Sequence, residues 1–166
     1  EVANNDVLTV FAGMRLSTDK LCSLLRKYRT LIEANVDCRT PDGYILRVFV
    51  MGFTKRINPN KKACYAQQSK RREVRDVMIN CAREYVEKNP INTLCTGIVT
   101  ETIEKAICEK CQDIRQVDNV FVTKIKVIKA PSFSVEELKK LHQGRTVQKT
   151  EPVARPEEEV TAADAA

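Results

Sequence analysis

Ile32-Glu-Ala-Asn-Val-Asp-Cys-Arg39, Thr40-Pro-Asp-Gly43 and Tyr44-Ile-Leu-Arg-Val-Phe-Val-Met-Gly-Phe53 form one unbroken stretch, and its reading decides the fold. In the first part Ile32, Ala34, Val36 and Cys38 point one way, while Glu33, Asn35, Asp37 and Arg39 point the other. Successive strand residues face opposite sides, so this alternation predicts a half-buried strand. The second part is turn chemistry: Pro41 presets its φ, Asp42 can bond nearby backbone, and Gly43 accepts a positive φ. From Tyr44 to Phe53 both faces are apolar, with Arg47 the exception. That pattern predicts a central strand, buried on both sides and paired antiparallel with the first.

Working outward, Val7 to Phe11 reads as a short strand. Ser17 or Thr18 can cap a helix carrying Leu21, Leu24, Leu25 and Tyr28 on one stripe. Beyond the central strand, a loop with Asn58-Pro59-Asn60 at its tip leads into a helix near Gln67 to Glu87. Val74, Met78, Cys81 and Tyr85 share one face of that helix, Arg72 and Arg83 lie nearly opposite, and Arg75 sits to the side. Asn89-Pro90 ends it. A short helix is expected around Leu94 to Val99, and another from Glu101 to Cys111 with Ile103 and Ile107 inward. Val120 to Lys129 is strand-like. Phe121, Ile125 and Val127 form one face, and Lys124, Lys126 and partly Val122 and Ile128 the other, with Pro131 as the break. Ser134-Val-Glu-Glu137 fits a capping box that opens a helix to about His142. Strands and helices mix without a βαβ rhythm, so the class is α+β.

The chain has 166 residues, 43% hydrophobic and 30% charged, which suits one domain plus a tail. No apolar run approaches the ~20 residues of a membrane span, and no membrane partner is expected. Residues 1–143 are expected to form the domain. Residues 144–166, with three basic against five acidic side chains, two prolines and several alanines, are expected to be a flexible acidic tail. Glu1-Val-Ala-Asn-Asn-Asp6 has neither a basic lead nor an apolar stretch, and the start without Met suggests a position inside a longer protein. Seven cysteines at irregular spacing, without a secretion signal, suggest a reducing compartment.

The net charge of +6 is concentrated in one place. From Phe53 to Arg75 there are eight basic residues, Lys55, Arg56, Lys61, Lys62, Lys70, Arg71, Arg72 and Arg75, against the single acid Glu73. The rest of the chain holds 20 basic and 21 acidic residues, so this segment supplies the whole positive excess. Tyr65 and Gln67-Gln68 sit within it. Cations neutralise phosphates, and amides and rings can contact bases, so the segment is a candidate RNA-binding surface rather than only a solvated loop. Lys124 and Lys126 can extend it, or can merely solubilise an edge strand.

Catalysis is not expected. There is one His, no GxSxG and no phosphate-binding glycine loop, and Asp37 and Asp42 flank a turn in the usual structural manner. Cys108-Glu-Lys-Cys111 is a single CxxC; zinc needs four ligands, usually from two such pairs. No metal site and no cofactor are expected, although a cysteine-based metal or redox module is the reading this motif would support. A protein–protein adaptor is a further alternative, motivated by the acidic tail. Gly43 and Gly52 read as structural, the first for turn geometry and the second for close backbone approach or a bulge.

Four blocks carry a resemblance. Thr40-Pro-Asp-Gly-Tyr-Ile-Leu-Arg-Val-Phe-Val-Met-Gly-Phe-Thr-Lys-Arg56 resembles a stretch of the S-three-a (also S-one-e) family of eukaryotic and archaeal small-subunit ribosomal proteins, closest to the eukaryotic type. Ala63-Cys-Tyr-Ala-Gln-Gln68 leading into Lys70-Arg-Arg-Glu-Val-Arg75, Asp118-Asn-Val-Phe-Val-Thr-Lys-Ile-Lys126 and Met14-Arg-Leu-Ser-Thr-Asp-Lys-Leu-Cys22 are similar to further blocks of it. The similarity runs in order from about Val7 to His142.

The resemblance implies a non-catalytic protein of the 40S subunit platform, with a barrel-like mixed β core and flanking helices. Its implied partners are small-subunit ribosomal RNA, neighbouring ribosomal proteins and initiation factor three. Its implied location is the cytoplasmic ribosome after nucleolar assembly. It also implies that this chain is the C-terminal two-thirds of a longer protein whose preceding part supplies early strands. Carried over by position, the RNA-facing candidates are Lys55, Arg56, Lys61, Lys62, Tyr65, Lys70, Arg71, Arg72 and Arg75. The CxxC is not a pattern of that family.

Overall fold

The computed structural model describes residues 9–132, together with residues 2, 3, 6, 7 and 136. The elements in chain order are β1 (Val2–Ala3), β2 (Asp6–Val7), β3 (Gly13–Arg15), α1 (Thr18–Leu24), β4 (Leu31–Arg39), β5 (Ile45–Thr54), α2 (Gln68–Lys88), α3 (Ile91–Val99), α4 (Thr102–Lys110) and β6 (Val117–Lys129). Thr9–Ser132 forms one compact unit. β1 and β2 pair antiparallel in a second, Val2 opposite Val7. The expected capping-box helix and acidic tail lie outside the described residues, apart from helical Glu136.

The deciding stretch forms the hairpin its pattern predicts. Thr40 closes the turn from both ends: its N–H donates to the Tyr44 carbonyl at 2.9 Å, and its hydroxyl accepts from the Tyr44 N–H at 3.2 Å. Gly43 takes φ 87°, where a Cβ would be strained. β4 and β5 then pair without a break from Arg39–Ile45 to Leu31–Phe53. Ile32, Val36 and Cys38 are buried and their alternate neighbours exposed. Both carboxylates near the turn are taken up structurally. Asp37 accepts two bonds from the Arg47 guanidinium, at 2.6 and 2.7 Å, and Asp42 accepts from the Ile91 N–H at 2.7 Å, where α3 begins.

The sheet order is β3-β6-β5-β4, antiparallel throughout. This corrects the expected barrel-like mixed core. Four strands in this order leave β3 and β4 as opposite edges, so among the described residues the sheet is open. Among the described residues the only parallel pairing is an isolated bridge between Arg29 and Cys64. Of the expected strand at Val7 to Phe11, only Val7 lies in a strand, β2. Residues 9–12 are irregular, and the pairing segment is Gly13–Arg15, held opposite Lys124–Lys126.

β5 is apolar on both faces because each is covered by something different. On one side α2 lies against β4, and α4 against β6 and α2. Val74, Met78, Cys81, Ala82 and Val86 of α2 are buried there, while Arg72 and Arg83 are exposed. Gly52 lets α2 approach: a Cβ on it would sit 2.9 Å from Val117 Cγ1 and 3.1 Å from Met78 Cε. On the other side Met51 and Phe53 pack with Leu24 of α1 and with half-buried Leu16, Leu21 and Phe121. α1 is capped by Ser17, whose hydroxyl accepts from the Lys20 N–H. It stops at Leu24, so Leu25 and Tyr28 of the expected stripe are exposed, with Tyr28 at φ 65°.

β6 also departs from simple alternation. Phe49 pairs with Lys124 but Val50 pairs with Val122, so Thr123 is an extra residue. A bulge of this kind shifts the side-chain phase by one. It carries Val122 into the core with Val120, and turns Phe121 to the α1 side, away from the face that Ile125 shares with Val48.

The Glu104 carboxylate serves the same bulge. It is buried, with Oε1 accepting from the Val122 N–H at 3.2 Å and Oε2 without a hydrogen-bond partner among the described residues. Burial raises its pKa, so the folded state holds the proton more tightly than the unfolded one. Stability from this group is therefore greatest at low pH, and declines as pH rises from the ordinary glutamate range through the raised value. Glu104→Gln keeps the acceptor and removes the charge. It is expected to raise the Tm at pH 8 by about 3 °C, the scale of ~1 kcal/mol in a domain of this size, and to leave it unchanged near pH 4. Thermal melts across that range check this.

Candidate nucleic-acid interface

The basic segment leaves the sheet at Thr54 and is pinned at both ends. The buried Thr54 hydroxyl donates to the Cys64 carbonyl at 2.5 Å and accepts from the Thr30 N–H at 3.0 Å. The Cys64 N–H donates to the Tyr28 carbonyl, the Ala66 N–H to the Thr30 hydroxyl, and the Lys55 N–H to the Gln116 carbonyl. Everything between Thr54 and Cys64 is exposed. The tip is a tight turn in which Asn58 Oδ1 accepts from the Asn60 N–H at 3.0 Å and the Asn58 carbonyl from the Lys61 N–H at 3.2 Å. The loop therefore projects from a fixed base.

The candidate side chains divide by what already holds them. Lys55, Lys61, Lys62 and Arg72 are exposed, and none forms an ion pair among the described residues. Arg56 curls back onto the carbonyls of Asn58 and Pro59 and stiffens the tip. Lys70 pairs with Glu73 at 3.3 Å. Arg71 is half-buried, with Nε buried and lacking a hydrogen-bond partner among the described residues. Arg75 donates from Nε to the Glu33 carbonyl at 3.1 Å, tying α2 to the edge of β4. Tyr65 is 64% exposed, so its ring is open to stacking rather than packed beneath the loop.

Tertiary structure adds a group that the one-dimensional reading missed. The Arg29–Cys64 bridge, with the Cys64 N–H donating to the Tyr28 carbonyl, brings Tyr28 and Arg29 beside Cys64 at the foot of the loop, and Arg26 and Lys27 directly precede them in the chain. Arg26 and Lys27 are exposed, and Arg29 reaches Asp118 at 3.2 Å. Tyr28, 43% exposed, is thereby placed one residue from the same bridge as Tyr65. The charge run was visible in sequence; its partner across the bridge was not. Lys124 and Lys126 lie elsewhere. They pair with Phe49 and Arg47 and share the sheet face opposite α2.

The cysteines show no metal-like grouping among the described residues. Cys111 is fully buried and its thiol is pushed up to about 11, while half-buried Cys108 is also raised, in both by burial. Both groups are thus held as thiols, the weaker ligand and nucleophile form.

The sequence matches the Ribosomal S3Ae family over residues 1–131. It is 41% identical over 143 residues to the small ribosomal subunit protein eS1 of Triatoma infestans, covering 86% of this chain and 55% of the relative. It is 40% identical over 156 residues to the protein of the same name from Periplaneta americana, covering 93% and 59%. The chain thus spans just over half the length of these relatives. With the deciding hairpin, the basic loop and the strand of Asp118–Lys126 all inside the matched residues, the chain belongs to the Ribosomal S3Ae family.

Proposed function

We propose that this chain is part of a structural, non-catalytic constituent of the small ribosomal subunit that binds ribosomal RNA through the basic loop and the start of α2. The observation that carries this is the loop itself: Lys55, Lys61 and Lys62 are held out from a pinned base, exposed and in no ion pair among the described residues. Charges left unneutralised on a fixed frame suit a polyanion, because binding then costs little ordering entropy. The relatives' name, small ribosomal subunit protein, supports the same reading. Lys residues act as point charges on phosphates, Arg72 can engage two oxygens at once, and Tyr65 offers a stacking face. Neighbouring ribosomal proteins, a platform position near initiation factor three, and a nucleolar assembly stage followed by cytoplasmic function complete the proposal.

Sedimentation of a cell lysate at low and moderate salt tests it. Co-migration with small subunits through a moderate-salt wash is the expected result. Slow sedimentation at both salts, or association that survives RNA digestion, points instead to an adaptor off the ribosome. With about 4 to 6 phosphates neutralised, RNA binding by the chain is expected to show a log–log salt slope on the order of −3 to −5.

A further inference from the structure

Among the described residues, the sheet face opposite α2 is only half covered. α1 closes the end at Met51, Phe53 and Phe121. The other half is left open by the described residues, and its side chains follow from the register. One row across the sheet is Asn35, Phe49, Lys124 and Arg15, and the next is Asp37, Arg47 and Lys126. Phe49 is half-buried in the middle, with Lys126 Nζ 5.8 Å from its ring centroid. Beside the ring is an open depression of about 370 Å³, with Glu33, Asn35, Met51 and Thr123 among its lining. Asp37 is engaged by Arg47, whose guanidinium holds the carboxyl below its ordinary pKa. Arg15 and Lys126 are exposed and Lys124 half-exposed, with no ion pair among the described residues.

A solubilising face would not need a ring at its centre, and a protein-docking face would be poorer in cations at its core. A ring flanked by cations and an amide is instead the composition that binds an unpaired nucleotide: a stacking surface, phosphate partners and a base-edge contact. We propose that this half-face is a second RNA contact, specific for single-stranded RNA. One splayed base stacks on Phe49, Asn35 meets its edge, and Arg15, Lys124 and Lys126 hold the flanking phosphates. The inference rests on the RNA-binding reading above, but assigns a surface separate from the basic loop.

The test is fluorescence anisotropy with the full 166-residue chain, using an unstructured uridine-rich oligonucleotide of about ten residues and an RNA duplex of similar charge as probes. Phe49→Ala is expected to weaken single-strand binding about 10-fold, the lower half of the range for one stacked base, and to leave duplex binding unchanged. Phe49→Trp is expected to restore it. Lys124→Gln with Lys126→Gln is expected to make the single-strand salt slope shallower by about 1.4.

Single-strand binding that is abolished by reversing the loop charges, and unmoved by the lysine pair and by Phe49→Ala, overturns this inference and leaves the loop reading intact. No RNA binding by the unaltered chain at low salt overturns both. If Phe49→Ala fails to fold, the lysine pair decides through the slope alone. Preferential binding of an acidic peptide over the oligonucleotide would assign the face to a protein and overturn the proposal.

Discussion

Reversing Lys61, Lys62 and Arg72 to Glu together is expected to abolish incorporation of the chain into small subunits while leaving its fold unchanged. These three are chosen from the basic candidates because they are exposed and held by no ion pair among the described residues. Arg71 is half-buried, Arg75 ties α2 to β4, Arg56 braces its own loop and Lys70 has Glu73, so reversing any of those would also disturb structure. Each neutralised phosphate contributes to log K in proportion to log salt. Losing three such contacts weakens binding roughly 100-fold at physiological ionic strength, and the added negative charges weaken it further. The salt slope is expected to become shallower by about 2 to 3. Sedimentation of the tagged variant and salt-titrated RNA binding check the two statements. Normal incorporation with an unchanged melting temperature would remove the loop from the interface.

The second large effect concerns the core. Gly52→Val is expected to destabilise the chain by about 3 kcal/mol, near the upper range for overpacking, and to lower the Tm by about 10 °C. A Cβ there already falls inside the contact distance of Val117, Met78 and Val120, before the two methyl groups are counted. The crowding atoms come from α2 on one side and β6 on the other, so relief in one direction opens the other. Val117→Ala in the Gly52→Ala background is expected to recover part of the loss, because Val117 Cγ1 is the nearest obstacle. Thermal unfolding of the single and paired variants measures the coupling. Equal losses in both would mean that the backbone, rather than the side chain, yields at Gly52.

Much of this fold was legible in one dimension. Alternation over Ile32–Cys38, turn chemistry at Thr40–Gly43 and a two-sided apolar run are local patterns, and the hairpin they describe forms with the expected antiparallel pairing. The α2 face was equally readable, since a 21-residue helix repeats its burial pattern several times. The bulge at Thr123 was not. Nothing in Val120–Lys129 marks the extra residue, because it is imposed by what faces it: the Phe49 carbonyl that accepts from the Thr123 hydroxyl, and the Glu104 carboxylate that accepts from Val122. One such slip moved Phe121 to the opposite face. The open sheet was also out of reach, because the number of strands that bond is settled between segments far apart in the chain.

By itself the sequence determined the hairpin, the helix that covers it, and the placement of the whole positive excess within Phe53–Arg75. These depend on neighbours a few residues away, where pleat, helical period and turn preference act directly. Tertiary structure alone decided which cations remain available. Arg75 and Arg71 were drawn toward the fold, Arg29 was carried to the foot of the loop by its bridge to Cys64, and Lys124 and Lys126 were set on another face around Phe49. A charge is fixed by its residue type. Its freedom to bind is fixed by the hydrogen bonds and packing that distant segments bring to it, and those exist only once the chain has closed on itself.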